Sequence, residues 1–133
     1  MQVSFLDNKH LEHFNKMMEI NNTPYNDRER VALFYILSSI DKFRRCPDEY
    51  YNFKTGMINS KALDGVLSDG ELALLRLAYH LFTGRDDYKA TVISTFYSLG
   101  REWSYIALNA IKLRFNIEDI EEIGQTDITK TVI

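Results

Sequence analysis

The residues able to do chemistry are few and dispersed. His10-x-x-His13 sets two imidazoles three residues apart on one helical face, a spacing that a metal ion can use. No third ligand stands nearby, and Glu12 points to another side. Zinc needs three or four convergent donors, so the pair reads as two amphipathic residues edging a core. Cys46 is the single cysteine and follows Arg44 and Arg45, neighbours that lower a thiol pKa. No histidine with an amide or carboxylate is legible beside it, and a lone cysteine more often behaves as a small apolar side chain. The carboxylate pairs Asp48-Glu49 and Asp86-Asp87 are adjacent in sequence. The second fits a helix start, and neither has the apolar setting that raises a catalytic carboxyl pKa. The chain has no G-x-S-x-G, no P-loop and no G-x-G-x-x-G. These readings give no catalytic residue, no metal ligand and no cofactor, with Cys46 and His80 the residues through which an enzyme or small-ligand binder would work.

The densest constellation is Lys42, Arg44, Arg45 and Lys54 beside Tyr50, Tyr51 and Phe53. Cations interleaved with aromatics suit single-stranded nucleic acid, through phosphate pairing and base stacking. The same set suits a protein interface, where Arg and Tyr are favoured anchors. A third reading turns the charges to water and the rings inward. The candidate partner-binding set is Lys42, Arg44, Arg45, Tyr50, Tyr51 and Phe53. A formal charge of −3 and a pI near 5.6 disfavour nucleic acid as the main partner.

The elements that must position these residues read as helices. The chain has 133 residues, 45% of them hydrophobic, with 2 Pro and 6 Gly, which favours one helical domain over a turn-rich β fold. Asp7 caps a first helix over about 8–21, with Leu11, Phe14, Met17 and Met18 on its stripe and both histidines on its flank. A second helix over 27–40 is apolar all round from Val31 to Leu37, which makes it central. Residues 41–67 are the least regular, since Pro47 ends any continuation through Arg45. A hairpin and an irregular aromatic loop both fit there, followed by a short helix from Ser60 to Gly65. Ser68-x-x-Glu71 matches a capping box. It opens a helix over 69–83, with Ala73, Arg76 and His80 as its solvent stripe and Gly84 as its stop. Asp86 or Asp87 caps the next helix, which runs to about Ser98 and buries Val92, Ile93 and Phe96. Leu99-Gly100 then turns the chain into an αα-hairpin.

The hairpin's second arm, 101–115, is the organising helix. Trp103, Ile106, Ala107, Ala110, Ile111 and Leu113 share one arc, and Tyr105, Leu108 and Phe115 extend it, so the helix is expected to be covered on more than one side. Arg114 falls on the buried angle. It either snorkels at the helix end and bonds the last carbonyls or forms a buried ion pair with a carboxylate elsewhere. The helix offers too few exposed polar groups to serve as a recognition helix.

Residues 117–133 carry five carboxylates against Lys130, a net −4, which leaves the preceding residues at +1. Ile117, Ile120 and Ile123 recur at threes and suggest one or two more turns, and 126–133 looks extended. The expected architecture is a single all-α helical-bundle domain of five to six helices over 1–116, with an irregular or hairpin segment near 46–60. The acidic tail, 117–133, is then docked or extended. The first ten residues lack the pattern of a signal peptide, no apolar run reaches about 18 residues, and one cysteine fits a reducing compartment, so a cytoplasmic protein is expected.

Asn26-Asp27-Arg28-Glu29-Arg30-Val31-Ala32-Leu33-Phe34-Tyr35-Ile36, Tyr51-Asn52-Phe53, and Thr95 to Gly100 running into Ala107 to Phe115 resemble a domain-of-unknown-function family. It comprises small helical proteins of Gram-positive bacteria and their phages. The resemblance covers most of residues 5–116 and leaves the tail outside, and Gly100 stands where a polar N-cap is expected. It implies a helical fold and no reaction, and its phage context makes a modulator of a host or defence protein plausible. The function expected is a non-enzymatic protein-interaction module, with nucleic-acid binding through 42–54 as the alternative.

Overall fold

The computed structural model describes residues 2–120. Its centre is α2, Arg28–Leu37, where the Asp27 carboxylate accepts from Arg30 N–H at 3.2 Å and caps the first turn. Every residue from Val31 to Ile40 is buried. A helix with no polar face must be covered all round. Three helices cover it: α1 (Asn8–Ile20), α4 (Asp69–Thr83) and α6 (Arg101–Arg114). Ser38 and Ser39, buried just past α2, return their hydroxyls to the carbonyls of Phe34 and Ile36, both at 2.6 Å. Two polar groups thereby enter the core satisfied.

Helix α1 starts as its sequence predicts, with Asp7 accepting from His10 N–H at 2.8 Å. His10 does not flank the core. It is fully buried with Phe14, Met17 and Met18, and Leu11 is only half-buried. After α2 the chain makes one turn of helix, α3 (Asp41–Arg44), a 3-10 turn at Pro47–Glu49, and a two-stranded hairpin of β1 (Tyr51–Asn52) and β2 (Met57–Ile58). The strands pair antiparallel, Tyr51 with Ile58 and Asn52 with Met57. The hairpin was one of two readings that fitted. The Asn52 side chain closes its turn by accepting from Lys54 N–H at 2.8 Å and Thr55 N–H at 3.0 Å, and Gly56 supplies the positive φ of 73°. A 3-10 segment at Ser60–Asp64 stops at Gly65, as expected.

Helix α4 opens on the complete Ser68–Glu71 capping box and ends on Gly84 at φ 76°. Ala73 leaves the expected solvent stripe and is buried, because α5 (Val92–Tyr97) packs against α4. Gly70, in the first turn, lets α6 come close. A Cβ there would lie 3.1 Å from the Trp103 ring.

Helix α5 corrects the sequence reading most. It spans only Val92–Tyr97, and Thr91 rather than Asp86 or Asp87 caps it, accepting from Ser94 N–H at 3.1 Å. A helix of one and a half turns has room for a narrow buried side, and Thr95 and Phe96 occupy it. Val92 and Ile93, expected inside, are 71% and 78% exposed. So short an arm makes no αα-hairpin with α6. Its packing partner is α4.

Helix α6 buries Ile106, Ala107, Ala110 and Leu113, with the two alanines allowing close approach to α2. Tyr105, Leu108 and Phe115 are exposed, so the helix is covered on one side only. Gly100 precedes it without a side-chain cap.

Residues 117–120 form no further helical turn. Val3 N–H donates to the Asp119 carbonyl at 2.9 Å, Gln2 and Asp119 form a parallel bridge, and the Asp119 carboxylate meets Arg28 at 2.7 Å. Ile120 is buried. The start of the acidic segment is thus docked on the N-terminal strand-like residues and on α2, across the boundary expected at 116. The third isoleucine, Ile123, the remaining acidic residues and the extended stretch 126–133 lie outside the described residues. The described residues are therefore largely helical, with six α-helices and one small sheet. No described helix is long and apolar enough to cross a membrane.

Candidate functional site

The structure divides the 42–54 constellation into two parts. Tyr50, Tyr51 and Phe53 are buried. Tyr50 meets Phe43 edge-on with centroids 5.0 Å apart, and Tyr51 packs on Phe34 and Phe53. The Tyr51 hydroxyl accepts from Arg30 Nε at 2.9 Å. Tyr79, from α4, donates its hydroxyl to the carbonyls of Tyr50 and Asn59 at 2.8 and 2.9 Å, pinning the hairpin to the core. Burial pushes the Tyr79 hydroxyl well above the ordinary tyrosine range.

The cations have local roles. Arg44 lies 3.9 Å from Asp41 and reaches the carbonyls of Ser38 and Ser39 at 3.5 Å, at the C-terminal end of α2. Arg45 pairs with the same Asp41 at 2.8 Å on the open surface. Lys42 is half-buried, and Lys54 and Cys46 are exposed. The three rings therefore belong to the core of the fold rather than to an exposed face. The part of the predicted partner-binding set that remains at the surface is Lys42, Arg44 and Arg45. The reason is the alternation of the hairpin: Tyr51 and Phe53 share the side facing α2, while Asn52 faces water.

His10 is also committed to the fold. Its Nδ1 accepts from Leu6 N–H at 3.1 Å, so the other nitrogen carries the proton and donates it to the Tyr35 carbonyl at 2.8 Å. Burial lowers its pKa from 6.5 to about 4, against the raising influence of Tyr35 and Asp7. Both ring nitrogens are occupied, so the His10-x-x-His13 spacing is not a chelating pair. His80 turns Nδ1 to the Arg85 carbonyl at 2.5 Å, next to the α4 stop. Among the described residues no three His, Cys, Asp or Glu side chains converge on a point.

What the sequence reading missed is the outer surface of α5 and α6. Val92, Ile93 and Tyr97 project from α5, with Tyr97 90% exposed, and Tyr105, Leu108 and Phe115 make an exposed stripe along α6. The α6 stripe was visible as apolar periodicity but was assigned to the core. Apolar side chains clustered at a surface mark interaction sites more often than isolated ones do.

No curated protein and no solved structure matches the chain. A family model, described as a family of unknown function, matches residues 1–127. The match passes the limit at residue 116 expected from the resemblance and takes in the docked segment 117–120. With nearly the whole chain matched, the protein belongs to the family of unknown function DUF6075.

Proposed function

We propose that the protein is a non-enzymatic protein-interaction module that engages a second, different protein through the outer side of α5. The observation that carries this reading is the exposure of Val92, Ile93 and Tyr97 on one six-residue helix. Leaving three large apolar groups in water forgoes about 1.5–3 kcal/mol of burial for each, which a partner recovers. Tyrosine is favoured at interface centres because its ring is large and rigid and its hydroxyl tolerates water. The exposed α6 residues Tyr105, Leu108 and Phe115 are a further apolar surface of the same kind. The resemblance to phage-borne proteins makes the partner a host or defence protein.

Affinity capture with the full chain tests this against two variants. A stoichiometric partner retained by Lys42→Ala/Arg45→Ala and lost by Ile93→Ser/Tyr97→Ser supports the reading. Retention by both variants, or loss with Lys42→Ala/Arg45→Ala alone, moves the interface away from α5. Self-association by light scattering that disappears with Ile93→Ser/Tyr97→Ser would replace the foreign partner with a second copy of this chain.

A further inference from the structure

A small pocket of about 80 Å³, partly open to solvent and lined in part by Leu72 and Ala73, lies between α4 and α5. Asp69 and Arg76 line it from α4, and Lys89, Ser94, Thr95 and Ser98 line it from the α5 side. Two observations single it out. Thr95 is 2% exposed, and its hydroxyl has no hydrogen-bond partner, the only such buried side-chain atom among the described residues. A helical threonine ordinarily returns its hydroxyl to the carbonyl four residues earlier. Here the Thr91 carbonyl accepts from Thr95 N–H at 2.9 Å, and the Thr95 hydroxyl, which makes no such bond, is left at the cavity that Thr95 lines. A buried hydroxyl without a partner is costly, and such groups are rare unless something else meets them.

The second observation is Arg76. The other half-buried arginines among the described residues, Arg28, Arg30, Arg44 and Arg114, each have a carboxylate within 4 Å. Arg76 is half-buried with neither an ion pair nor a hydrogen bond. Lys89 lines the same cavity and also lacks a carboxylate partner. Its backbone is fixed in the left-handed region at φ 61° by a 2.8 Å bond from Ser94 Oγ to its carbonyl. Half-buried Arg76, exposed Lys89 and the unpaired buried Thr95 hydroxyl therefore line one pocket that opens to solvent.

We propose that this cavity binds inorganic hydrogenphosphate. The space exceeds the roughly 10–15 Å³ that one water needs, so it holds a few waters or one small tetrahedral oxyanion. Arg76 and Lys89 supply charge-assisted donors, and Thr95 and Ser98 supply hydroxyls. Asp69 sets the selectivity. A carboxylate only accepts, so it takes the proton that hydrogenphosphate carries and repels sulfate, which carries none. This site is separate from the exposed α5 surface of the proposed interface, and the two stand or fall independently.

Thermal melts and calorimetric titrations of the full chain with phosphate, sulfate and acetate, against chloride at equal ionic strength, test the proposal. Phosphate should raise the melting temperature saturably, as ligand linkage requires. Sulfate should bind at least tenfold more weakly, and acetate should match chloride. Arg76→Gln and Thr95→Val should each lose at least tenfold in phosphate affinity, whereas Arg101→Gln, at an exposed arginine outside the cavity, should change nothing. Asp69→Asn should bring sulfate within about threefold of phosphate. Thr95→Val also removes an unpartnered hydroxyl, so in chloride it should melt at or above the parent temperature. Its loss of binding is then not a loss of folding. Absence of a saturable phosphate response, an unchanged Arg76→Gln, or equal losses in Arg101→Gln would overturn the site. Equal phosphate and sulfate binding by the parent would overturn the hydrogenphosphate assignment.

Discussion

His10 donates its Nε2 hydrogen to the Tyr35 carbonyl 2.8 Å away, joining the first turn of α1 to the last turn of α2. The Tyr35 hydroxyl continues the connection. It donates to the Ser4 carbonyl at 2.5 Å and accepts from the Asn109 side-chain amide at 3.0 Å. Phe5 packs against both rings and against Phe14. The N-terminal residues, α1, α2 and α6 thus meet at one polar spine inside an aromatic cluster. Burial pushes the Tyr35 hydroxyl up to about 12, so it stays a donor through neutral pH.

The spine makes stability depend on acid. The folded His10 pKa, about 4, lies below the ordinary 6.5. Between those values the unfolded chain takes up a proton that the folded chain refuses, so stability falls as pH drops from about 6.5 to about 4. At about 1.4 kcal/mol per unit, the full loss is about 3 kcal/mol. His13, also lowered, acts in the same direction. Urea denaturation at pH 7 and pH 4 should show the parent losing about 3 kcal/mol more than His10→Gln. An equal slope for the two proteins would remove His10 as the cause.

Arg114 satisfies a carbonyl of a neighbouring helix. Its Nε donates to the Leu81 carbonyl, in the last turn of α4, at 2.8 Å, and its other end lies 3.7 Å from Glu29 of α2. This differs from both sequence readings: the carbonyl belongs to α4 rather than to α6, and the ion pair is half-exposed. Arg114→Met keeps the aliphatic stem and should cost about 1.5 kcal/mol in urea denaturation. Glu29→Gln should cost under about 0.5 kcal/mol, the usual scale of an exposed pair. The reverse order of costs would show that the ion pair, and not the carbonyl contact, holds the three helices.

Ile120 and Asp119 extend the domain past 116. Ile120→Ala in the full chain should lower stability by about 2 kcal/mol. It should also speed hydrogen exchange at the Val3 amide, whose acceptor is the Asp119 carbonyl. Unchanged exchange at Val3 would return 117–120 to the status of a dispensable tail.

Several features were legible because the groups that decide them lie within a few residues. The Asp7 and Ser68 caps, the Gly84 stop, the Ser60–Gly65 turn and the burial of Val31–Leu37 follow from side-chain reach and from 3.6-residue periodicity. Arginine and tyrosine spacing at 42–54 was legible as a cluster. Which way each ring turned was not, because it depends on Phe34 of α2 and on Tyr79 of α4, both far outside the reach of local spacing. Periodicity misled at α5 and α6 for a related reason. It marks a face as apolar without saying whether a neighbour covers that face. Thr91 capped α5 late, the helix came out short, and Val92, Ile93 and Tyr97 stayed in water.

The chain alone therefore determined a helical domain, its central helix and most of its helix ends, since hydrogen-bond capping and apolar period are local properties. Tertiary structure decided the rest. It turned His10 from a candidate ligand into an internal hydrogen-bond donor, joined residues 117–120 to the body through Val3 and Arg28, and set unpaired Arg76 beside the Thr95 hydroxyl. Each of these depends on partners brought together only when distant elements pack, and no spacing along the chain encodes that.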